Sequence, residues 1–458
     1  MRMRKCPMSR KLLLLLGDIG IVIFSYCLAT ALVLDKAILI PSAGLYSGML
    51  PIMIVIVGLL FNINGLYSVA HKRFAEISLS LLVSMGSLCI LMMAISFFIR
   101  EFSYSRSQLI LSIGIQFVLL LLWRHIMWRI ERSLHEKRKV LLIGNKTECM
   151  HVYNRMVMQP QLNLELKYVC TDFKNSLWKE AAKQVEVVII CSDLKLRDKA
   201  DVVHYCNMNG KMPLLIPNAY EVFCSGAELD KIDDIPVFRP QSLQPSLETR
   251  SLKRILDITV SGIGFICAVP FMLATIVAMK ILDPGPLIYS QVRTGLNEKA
   301  FKVYKFRTMR VDAEKYSGPV LAQDRDPRIT CLGRFLRAVR LDELPQIWNV
   351  LIGDMSIVGP RPERPFFVEK YKKEISEYIY RHNVKPGITG LAQVYGKYNT
   401  TAYDKLIYDL TYIQNCNILN DLTIIVQTVR ILFTKSATEG VRKEVGTINL
   451  SDFEIHRE

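Results

Sequence analysis

The chain of 458 residues is apolar and basic, with 51% hydrophobic residues, a mean hydropathy of +0.23 and a formal net charge of +16 at pH 7. The length predicts two or three folded units, and the hydropathy excludes an ordinary soluble protein of this size. A high positive charge suits a protein that binds nucleic acid, an anionic membrane face or a phosphorylated substrate. The long apolar segments favour the membrane and the phosphorylated substrate, so no nucleic-acid partner is expected.

Four apolar segments open the chain, and each is close to the roughly 20 residues that a helix needs to cross a bilayer. They cover about 12–34, 45–64, 77–99 and 107–128. Basic residues cluster before the first segment, between the second and third, and after the fourth. Because cytoplasmic loops are enriched in Lys and Arg, we expect a four-helix transmembrane domain over 1–134 with both ends in the cytoplasm.

Residues 135–245 predict a degenerate Rossmann-like α/β domain in the cytoplasm. Buried strands are expected over Lys139–Gly144, Val185–Cys191 and Met212–Ile216, with helices around 148–158 and 196–209. Gly144 is followed by Asn-Lys-Thr-Glu rather than by further glycines, so the dinucleotide fingerprint is absent. A docking or regulatory role is favoured over an NAD site. The stretch Pro236–Pro245 is expected to be the linker out of this domain.

A fifth apolar segment runs from Ile255 to Leu282, with Pro270 near its middle. Proline bends a helix because it removes one hydrogen bond and clashes with the preceding turn. Basic residues flank the segment on both sides, whereas a spanning helix should show an asymmetry. We therefore predict a re-entrant helix-break-helix hairpin over 252–282, with an ordinary fifth span as the alternative.

A β-hairpin is expected next, with strands Leu287–Arg293 and Phe301–Thr308. Side chains alternate along a strand, so Lys305 and Arg307 should share one face. Two cations on one face suit a phosphate, and a solvated edge strand is the alternative interpretation.

The acidic pair Asp342 and Glu343 follows a basic helix in which Arg337 and Arg340, three residues apart, should share a face. Pro345 is tolerated only in a first turn, so a helix should begin near Asp342. A helix N-terminus also favours phosphate, which makes Asp342 a candidate for chemistry, although a plain N-cap explains it equally well.

Two further motifs suit phosphate or nucleotide binding. Pro360 and Pro362 fix the backbone around Arg361 and so preset the direction of its guanidinium group. The Gly-rich stretch Lys385–Gln393, followed by Lys397, could hold a nucleotide or serve as a structural turn.

Together and in this order, the motifs resemble the bacterial sugar transferase family, the monotopic phosphoglycosyl transferases of glycan assembly. The matching stretches are Lys305-Phe-Arg-Thr-Met309, Asp326-Pro-Arg-Ile-Thr330, Leu341–Gln346, Gly353-Asp-Met-Ser356, Gly359-Pro-Arg-Pro362 and Pro386–Gln393. The resemblance covers about 250–435. The four spans and the Rossmann-like domain are similar to the large members, which initiate exopolysaccharide, capsule or O-antigen chains.

The resemblance implies a multi-pass protein of the bacterial inner membrane, with a mostly α-helical α+β catalytic domain over 246–458 on the cytoplasmic face. It implies that Asp342 attacks a UDP-sugar, with glucose or galactose as the sugar, and releases UMP. The aspartyl phosphosugar would then pass to undecaprenyl phosphate, with Glu343 assisting proton transfer and Mg²⁺ held at Asp342. Substrate phosphates would be bound by Lys305, Arg307, Arg337, Arg361 and Lys397. Membrane lipid is an implied partner, and a homodimer is left open.

The chain departs from the family pattern at two positions. Relatives often bend the hairpin at Ser-Pro, where this chain has Val269-Pro270, and many carry Arg where Lys397 stands. Two other functions stay open. A metal-dependent glycosyltransferase could use Asp324-Arg-Asp326 and would release UDP. A non-enzymatic membrane scaffold or sensor could be built on the α/β domain.

Overall fold

The computed structural model describes residues 8–33, 49–67, 73–98, 106–134, 137–173, 177–311, 326–396, 400–432 and 453. The chain divides into two compact units. One contains Met1–Val188, Val203–Pro213 and Leu450–Glu458, and the other contains Ile189–Val202 and Leu214–Asn449.

Apolar helices form the first part of the chain. They are α1 (Met8–Val33), α2 (Met49–Ile63), α3 (Phe74–Phe98) and α4 (Arg106–Leu134). Three of them, α1, α3 and α4, are long and apolar enough to cross a membrane, and the described part of α2 has 15 residues. The positions agree with the four predicted segments, and the helices mark a membrane protein.

A charged pair lies inside this helical bundle, where apolar side chains such as Leu14 and Leu120 form the core. Nη2 of Arg124 donates to Oδ2 of Asp18 at 2.5 Å, and both side chains are buried. The rings of Phe61 and Tyr67 lie 5.6 and 5.7 Å from the guanidinium carbon. Pairing lowers the cost of keeping two charges in an apolar bundle.

The α/β domain alternates strands and helices as expected. Its elements are β1 (Arg138–Ile143), α5 (Lys146–Val157), β2 (Leu164–Cys170), α6 (Leu177–Lys183), β3 (Val187–Ile190), α7 (Leu196–Met208) and β4 (Met212–Leu215). The strand order is β2-β1-β3-β4, and β1 and β2 are parallel. Three strands were predicted. The edge strand β2 was not, because Glu165 and Lys167 interrupt its apolar residues.

The predicted linker Pro236–Pro245 is wrong over its first residues. After α8 (Ala219–Ser225), β5 (Glu228–Ile232) pairs antiparallel with β6 (Ile235–Arg239). Pro236 lies inside β6, opposite Lys231. A two-stranded hairpin has only edge strands, and an edge strand tolerates proline because its N–H need not join a ladder.

The fifth apolar segment forms a single helix, α9 (Leu247–Leu282), which continues through Pro270. The predicted break into two helices is therefore not observed. Proline removes one backbone hydrogen bond and bends a helix without having to end it. The helix is long and apolar enough to cross a membrane, and its re-entrant course stays a prediction.

The rest of the second unit is mostly helical with short strand pairs, as expected for an α+β domain. Its strands are β7 (Ile288–Thr294) and β8 (Ala300–Phe306), which are antiparallel, and β9 (Ser356–Val358) and β10 (Gly387–Thr389), which are parallel. Its α-helices are α10 (Cys331–Ala338), α11 (Gln346–Ile352), α12 (Pro365–Glu374), α13 (Leu391–Tyr395), α14 (Ala402–Gln414) and α15 (Ile418–Leu432). The 3₁₀ segments are Leu296–Glu298, Leu341–Glu343 and Ser376–Asn383.

Polar contacts join α9 to these elements. The carboxylate of Asp257 accepts hydrogen bonds from Oγ of Ser356 and the backbone N–H of Ile357, both at 2.9 Å. Arg254 donates to the carbonyl groups of Val350 and Leu351 at 2.7 Å, at the C-terminal end of α11. These bonds satisfy orphan carbonyls and fix the first half of α9 against the domain.

Candidate active site

The carboxylates of Asp342 and Glu343 lie on the 3₁₀ turn Leu341–Glu343 between α10 and α11. Arg340 precedes the turn with a left-handed φ of 60°, which reverses the chain direction after α10. The predicted helix start is shifted, because Pro345 is the N-cap of α11 and the helix begins at Gln346. Asp342 therefore lies on a tight turn before the helix rather than in its first turn.

Glu343 is surrounded by cations. Nζ of Lys305 donates to Oε1 of Glu343 at 2.6 Å, and Nη2 of Arg361 donates to the same oxygen at 3.1 Å. Nη1 of Arg340 lies 3.9 Å from Oε2. Burial alone would raise the pKa of Glu343, but Lys305, Arg361 and Arg340 hold it well below its usual value. Glu343 is therefore ionised at neutral pH.

Asp342 has the opposite environment. It is 8% exposed, and within the described part of the chain its Oδ1 has no hydrogen-bond partner. Burial first, and then the charge of Glu343, raise its pKa to about 6, against the effect of Lys305, Arg337 and Arg340. At pH 7 this carboxylate is mostly ionised and keeps one oxygen free of hydrogen bonds.

The loop that carries Arg361 is fixed on both sides by backbone contacts. The N–H of Gly387 donates to the carbonyl of Pro360 at 2.9 Å, and the N–H of Thr294 donates to the carbonyl of Glu363 at 2.9 Å. Together with the fixed φ of the two prolines, these bonds direct the guanidinium of Arg361 towards Glu343.

Among the described residues, the other predicted phosphate-binding residues Arg337 and Arg307 do not have the hydrogen bonds to Glu343 that Lys305 and Arg361 have. Nε of Arg337 donates to Oγ1 of Thr308 at 2.8 Å. Its expected pairing on a helix face with Arg340 is wrong, because α10 ends at Ala338. Arg307 is buried and donates to the carbonyl of Asp283 at 2.5 Å, at the end of α9, rather than sharing the environment of Lys305. Lys397 lies outside the described residues. Phosphate binding by these three residues stays a prediction.

Arg381 is a residue behind the site that the sequence motifs did not single out. Its Nη2 donates to the carbonyl of Arg361 at 3.0 Å and lies 2.8 Å from Oδ2 of Asp409. An isolated Arg in the 3₁₀ segment Ser376–Asn383 carries no local signal, because two of its partners, Arg361 and Asp409, come from distant parts of the chain.

The described part of the Asp324-Arg-Asp326 motif is already paired. Nε and Nη2 of Arg328 lie 2.9 and 2.6 Å from the two carboxylate oxygens of Asp326. Asp324 lies outside the described residues. A carboxylate held by a bidentate Arg is a poor ligand for a nucleotide-bound metal.

Comparison with known proteins places the sequence in a family. The sequence model of the bacterial sugar transferase family matches residues 248–435, and a model described as a CoA-binding domain matches residues 62–204. The UDP-glucose:undecaprenyl-phosphate glucose-1-phosphate transferase of Escherichia coli K12 is 34% identical over 314 residues, which are 64% of this chain and 68% of the relative. The chain belongs to the bacterial sugar transferase family.

Other relatives in the bacterial sugar transferase family are similar over shorter stretches. The UDP-N-acetylgalactosamine-undecaprenyl-phosphate N-acetylgalactosaminephosphotransferase of Aeromonas hydrophila is 42% identical over 207 residues, which are 44% of this chain and 49% of the relative. The galactosyl transferase CpsE of Streptococcus agalactiae serotype III is 42% identical over 192 residues, 39% of this chain and 42% of the relative. The chain thus spans about half the length of the Aeromonas relative.

These matches confirm the resemblance seen in the motifs. The prediction of an undecaprenyl-phosphate sugar phosphotransferase, a phosphoglycosyl transferase, is confirmed at the level of the family. The CoA-binding match supports the Rossmann-like character of the middle domain.

Proposed function

We propose that the protein transfers a sugar-1-phosphate from a UDP-sugar to undecaprenyl phosphate, which yields a polyprenyl-diphosphate-sugar and UMP. The observation that carries this proposal is the difference between two adjacent carboxylates, of which Asp342 is buried and Glu343 is partly buried. Glu343 is bound by Lys305 and Arg361, whereas Asp342 keeps one oxygen without a hydrogen bond in the described structure. The names of the relatives supply the class of reaction.

Asp342 acts as the nucleophile. Its free carboxylate oxygen forms a bond to the phosphorus that carries the sugar, and the bond from that phosphorus to the UMP oxygen breaks. Negative phosphate oxygens repel an attacking carboxylate, so the attack requires nearby positive charge. Lys305, Arg337 and Arg361 supply this charge, and the preset direction of Arg361 reduces the reorganisation that the transition state requires.

Glu343 assists the second half of the reaction. A phosphate oxygen of undecaprenyl phosphate attacks the aspartyl phosphosugar, the bond between Asp342 and phosphorus breaks, and Asp342 is regenerated. The ionised carboxylate of Glu343 accepts the proton of the acceptor when that acceptor arrives protonated. Its ion pairs with Lys305 and Arg361 keep it in the ionised form, which is the form that can accept a proton.

Mg²⁺ fits the donor set at Asp342. Proteins hold Mg²⁺ through one or two carboxylates together with substrate phosphates. The carboxylate of Asp342 can be one such ligand through Oδ2, because the unbonded buried Oδ1 is the oxygen that attacks phosphorus. The bound ion would withdraw charge from the donor diphosphate. Glu343 is occupied by its own cations and is the poorer ligand.

The proposal places this site at the cytoplasmic face of the bacterial inner membrane, where nucleotide sugars are available. The apolar helix α9 would enter one leaflet and return, so that the lipid phosphate reaches Asp342 at the headgroup level. Glucose or galactose is the proposed sugar. The names of the relatives specify glucose, N-acetylgalactosamine and galactosyl transfer, and so leave the sugar to experiment.

The nucleotide product tests the proposal. Purified protein in lipid nanodiscs is given undecaprenyl phosphate, Mg²⁺ and either UDP-glucose or UDP-galactose, and the released nucleotide is separated by chromatography. The proposal predicts UMP in an amount equal to the lipid product. Release of UDP would instead indicate the rival glycosyltransferase, and binding without turnover of any UDP-sugar would favour a scaffold or sensor.

A further inference from the structure

The side chain of Arg381 is enclosed behind Arg361. It is 5% exposed and lies at the end of the 3₁₀ segment Ser376–Asn383. Its guanidinium group donates to Oη of Tyr378 and to the carbonyl of Arg361, and it forms an ion pair with Asp409 on α14. The guanidinium carbon also lies 4.9 Å from the centre of the Tyr378 ring. Four groups therefore fix this side chain in one position.

Arg381 holds the backbone of Arg361, while the side chain of Arg361 reaches the acidic pair. The carbonyl of Arg361 is held by Arg381 at 3.0 Å, while its guanidinium reaches Glu343 at 3.1 Å. The preceding carbonyl, of Pro360, is held by the N–H of Gly387. Two successive peptide groups are therefore anchored, and the direction in which Arg361 leaves the backbone is set by them.

Asp409 is needed for this arrangement. A buried guanidinium group is stable only with a paired negative charge. Asp409 is buried, with a side chain 2% exposed, and its Oδ2 lies 2.8 Å from Nη2 of Arg381. Removal of the Asp409 carboxylate takes away this ion pair, and so weakens the position from which Arg381 holds the carbonyl of Arg361.

We propose that Arg381, held by Asp409, is a positioning residue that sets the direction of the Arg361 guanidinium towards Glu343 and the donor phosphate. This inference rests on the proposed function, because it assigns Arg361 a role in binding the donor. Arg381 acts through Arg361, and its effect should therefore disappear when the guanidinium of Arg361 is absent.

The test is a double-mutant cycle with Asp409→Asn and Arg361→Ala. In the otherwise native protein, Asp409→Asn should lower kcat/KM for the UDP-sugar about tenfold, mainly through a higher KM for the donor, with the KM for undecaprenyl phosphate unchanged. In the Arg361→Ala background, Asp409→Asn should lower kcat/KM for the UDP-sugar by less than about twofold. Equal factors in both backgrounds would overturn the inference, because a general loss of structure acts whether or not the Arg361 guanidinium is present.

A second buried ion pair in the same unit provides the matched control. Nζ of Lys253 lies 2.5 Å from Oδ2 of Asp421, whose side chain is 1% exposed, and the pair joins α9 to α15. Asp421→Asn removes a carboxylate of similar burial that accepts hydrogen bonds from Lys253 and Tyr412, neither of which is Arg361. Asp421→Asn should lower kcat/KM for the UDP-sugar by the same factor in the native protein and in Arg361→Ala. If Asp421→Asn reproduces the pattern of Asp409→Asn, the positioning role is wrong.

Two further measurements distinguish failure of the positioning role from failure of the proposed function. Arg381→Lys retains the charge but not the forked geometry, so it should fold and still raise the donor KM. An unchanged donor KM in a folded Arg381→Lys protein contradicts the inference. Failure of the native protein to release UMP from any UDP-sugar would instead contradict the proposed function, and this is measured before any variant is compared.

Discussion

Two neighbouring carboxylates with different surroundings define the chemistry at the scale of single residues. Cations hold the pKa of Glu343 well below its usual value, while burial raises that of Asp342 to about 6. Pairs of acidic groups whose environments separate their pKa values are a recurrent way to divide catalytic roles. In the proposed reaction, this division assigns the attack on phosphorus to Asp342 and the acceptance of a proton to Glu343.

The pKa of Asp342 gives a pH prediction. In the proposed reaction only the ionised carboxylate of Asp342 attacks, so the rate of sugar-phosphate transfer should rise with pH and reach half of its plateau near pH 6. Lys305 lowers the pKa of Asp342, so Lys305→Met should move this midpoint to higher pH. Loss of the charged hydrogen bond to Glu343 should also lower the plateau roughly 10- to 100-fold.

The control for this experiment lies on the same strand. Lys302 is exposed and points to the other face of β8 from Lys305. Lys302→Met should leave the midpoint where it is in the native protein. A midpoint that does not move in Lys305→Met, or moves equally in Lys302→Met, contradicts the electrostatic account of the pair.

The sequence motifs predicted the surroundings of some site residues and not of others. The contacts of Lys305 and Arg361 with Glu343 agree with the expectation of cations around the acidic pair. Strand alternation was extended to Arg307, but β8 ends at Phe306, and beyond a strand the alternation no longer sets the side-chain direction. Arg381 was missed because its proposed role depends on contacts with Arg361 and with Asp409 that no local pattern contains.

At the scale of elements, the close approach of α10 to the segment that follows β8 places the acidic turn. Thr330 caps α10, and Gly333 in its first turn lies against the backbone of Thr308. A Cβ atom at Gly333 would stand 2.1 Å from the Thr308 carbonyl oxygen. The two segments can pack at this distance only when that position is glycine.

Gly333→Ala should therefore force α10 away from Thr308. We expect a loss of about 1–3 kcal/mol in the free energy of unfolding, the usual cost of overpacking, together with a lower rate of UMP release. Gly262→Ala in α9 is the control, because its added Cβ meets no atom within 4 Å. Thermal unfolding in detergent measures the stability of the two variants. Equal melting temperatures for the two variants would contradict this account of the packing.

Elements with a strong local signal were predicted from sequence, and elements that depend on pairing were not. The β7–β8 hairpin and the buried strand β1 follow from alternation and apolar runs. The β5–β6 hairpin was missed, since Pro236 suggested a linker while the pairing with Lys231 supplies the strand. The continuity of α9 through Pro270 was also missed, because proline predicts a bend more reliably than an end.

At the scale of the whole molecule, the order of apolar segments predicts a membrane protein, and long apolar helices are observed at those positions. The sequence could not predict that each compact unit combines separate stretches of the chain, because that depends on contacts between residues far apart in the chain. Within the second unit, Ala219 and Val222 of α8 pack against Leu406 and Leu410 of α14. A helix that follows the α/β strands thus contributes to the core around α14.

The re-entrant course of α9 gives a prediction about topology. Arg250 lies in the first turn of α9 and Ser290 lies on β7 beyond its other end, and both are exposed. In a cysteine-free background, single cysteines at these two positions should react with an impermeant maleimide on the same, cytoplasmic side of inverted vesicles. A cysteine at an established periplasmic site of a co-expressed marker protein checks the vesicle orientation. Labelling from opposite sides would show that α9 spans the membrane.

The central claim is that Asp342 carries the sugar-phosphate during transfer. Protein incubated with Mg²⁺ and a UDP-sugar labelled in the sugar, without lipid acceptor, is quenched in acid, digested and mapped by mass spectrometry. We predict one sugar-phosphate on the peptide containing Asp342, its loss on addition of undecaprenyl phosphate, its slower loss in Glu343→Gln and its absence in Asp342→Asn. Label on another residue, or full turnover by Asp342→Asn, would contradict the account.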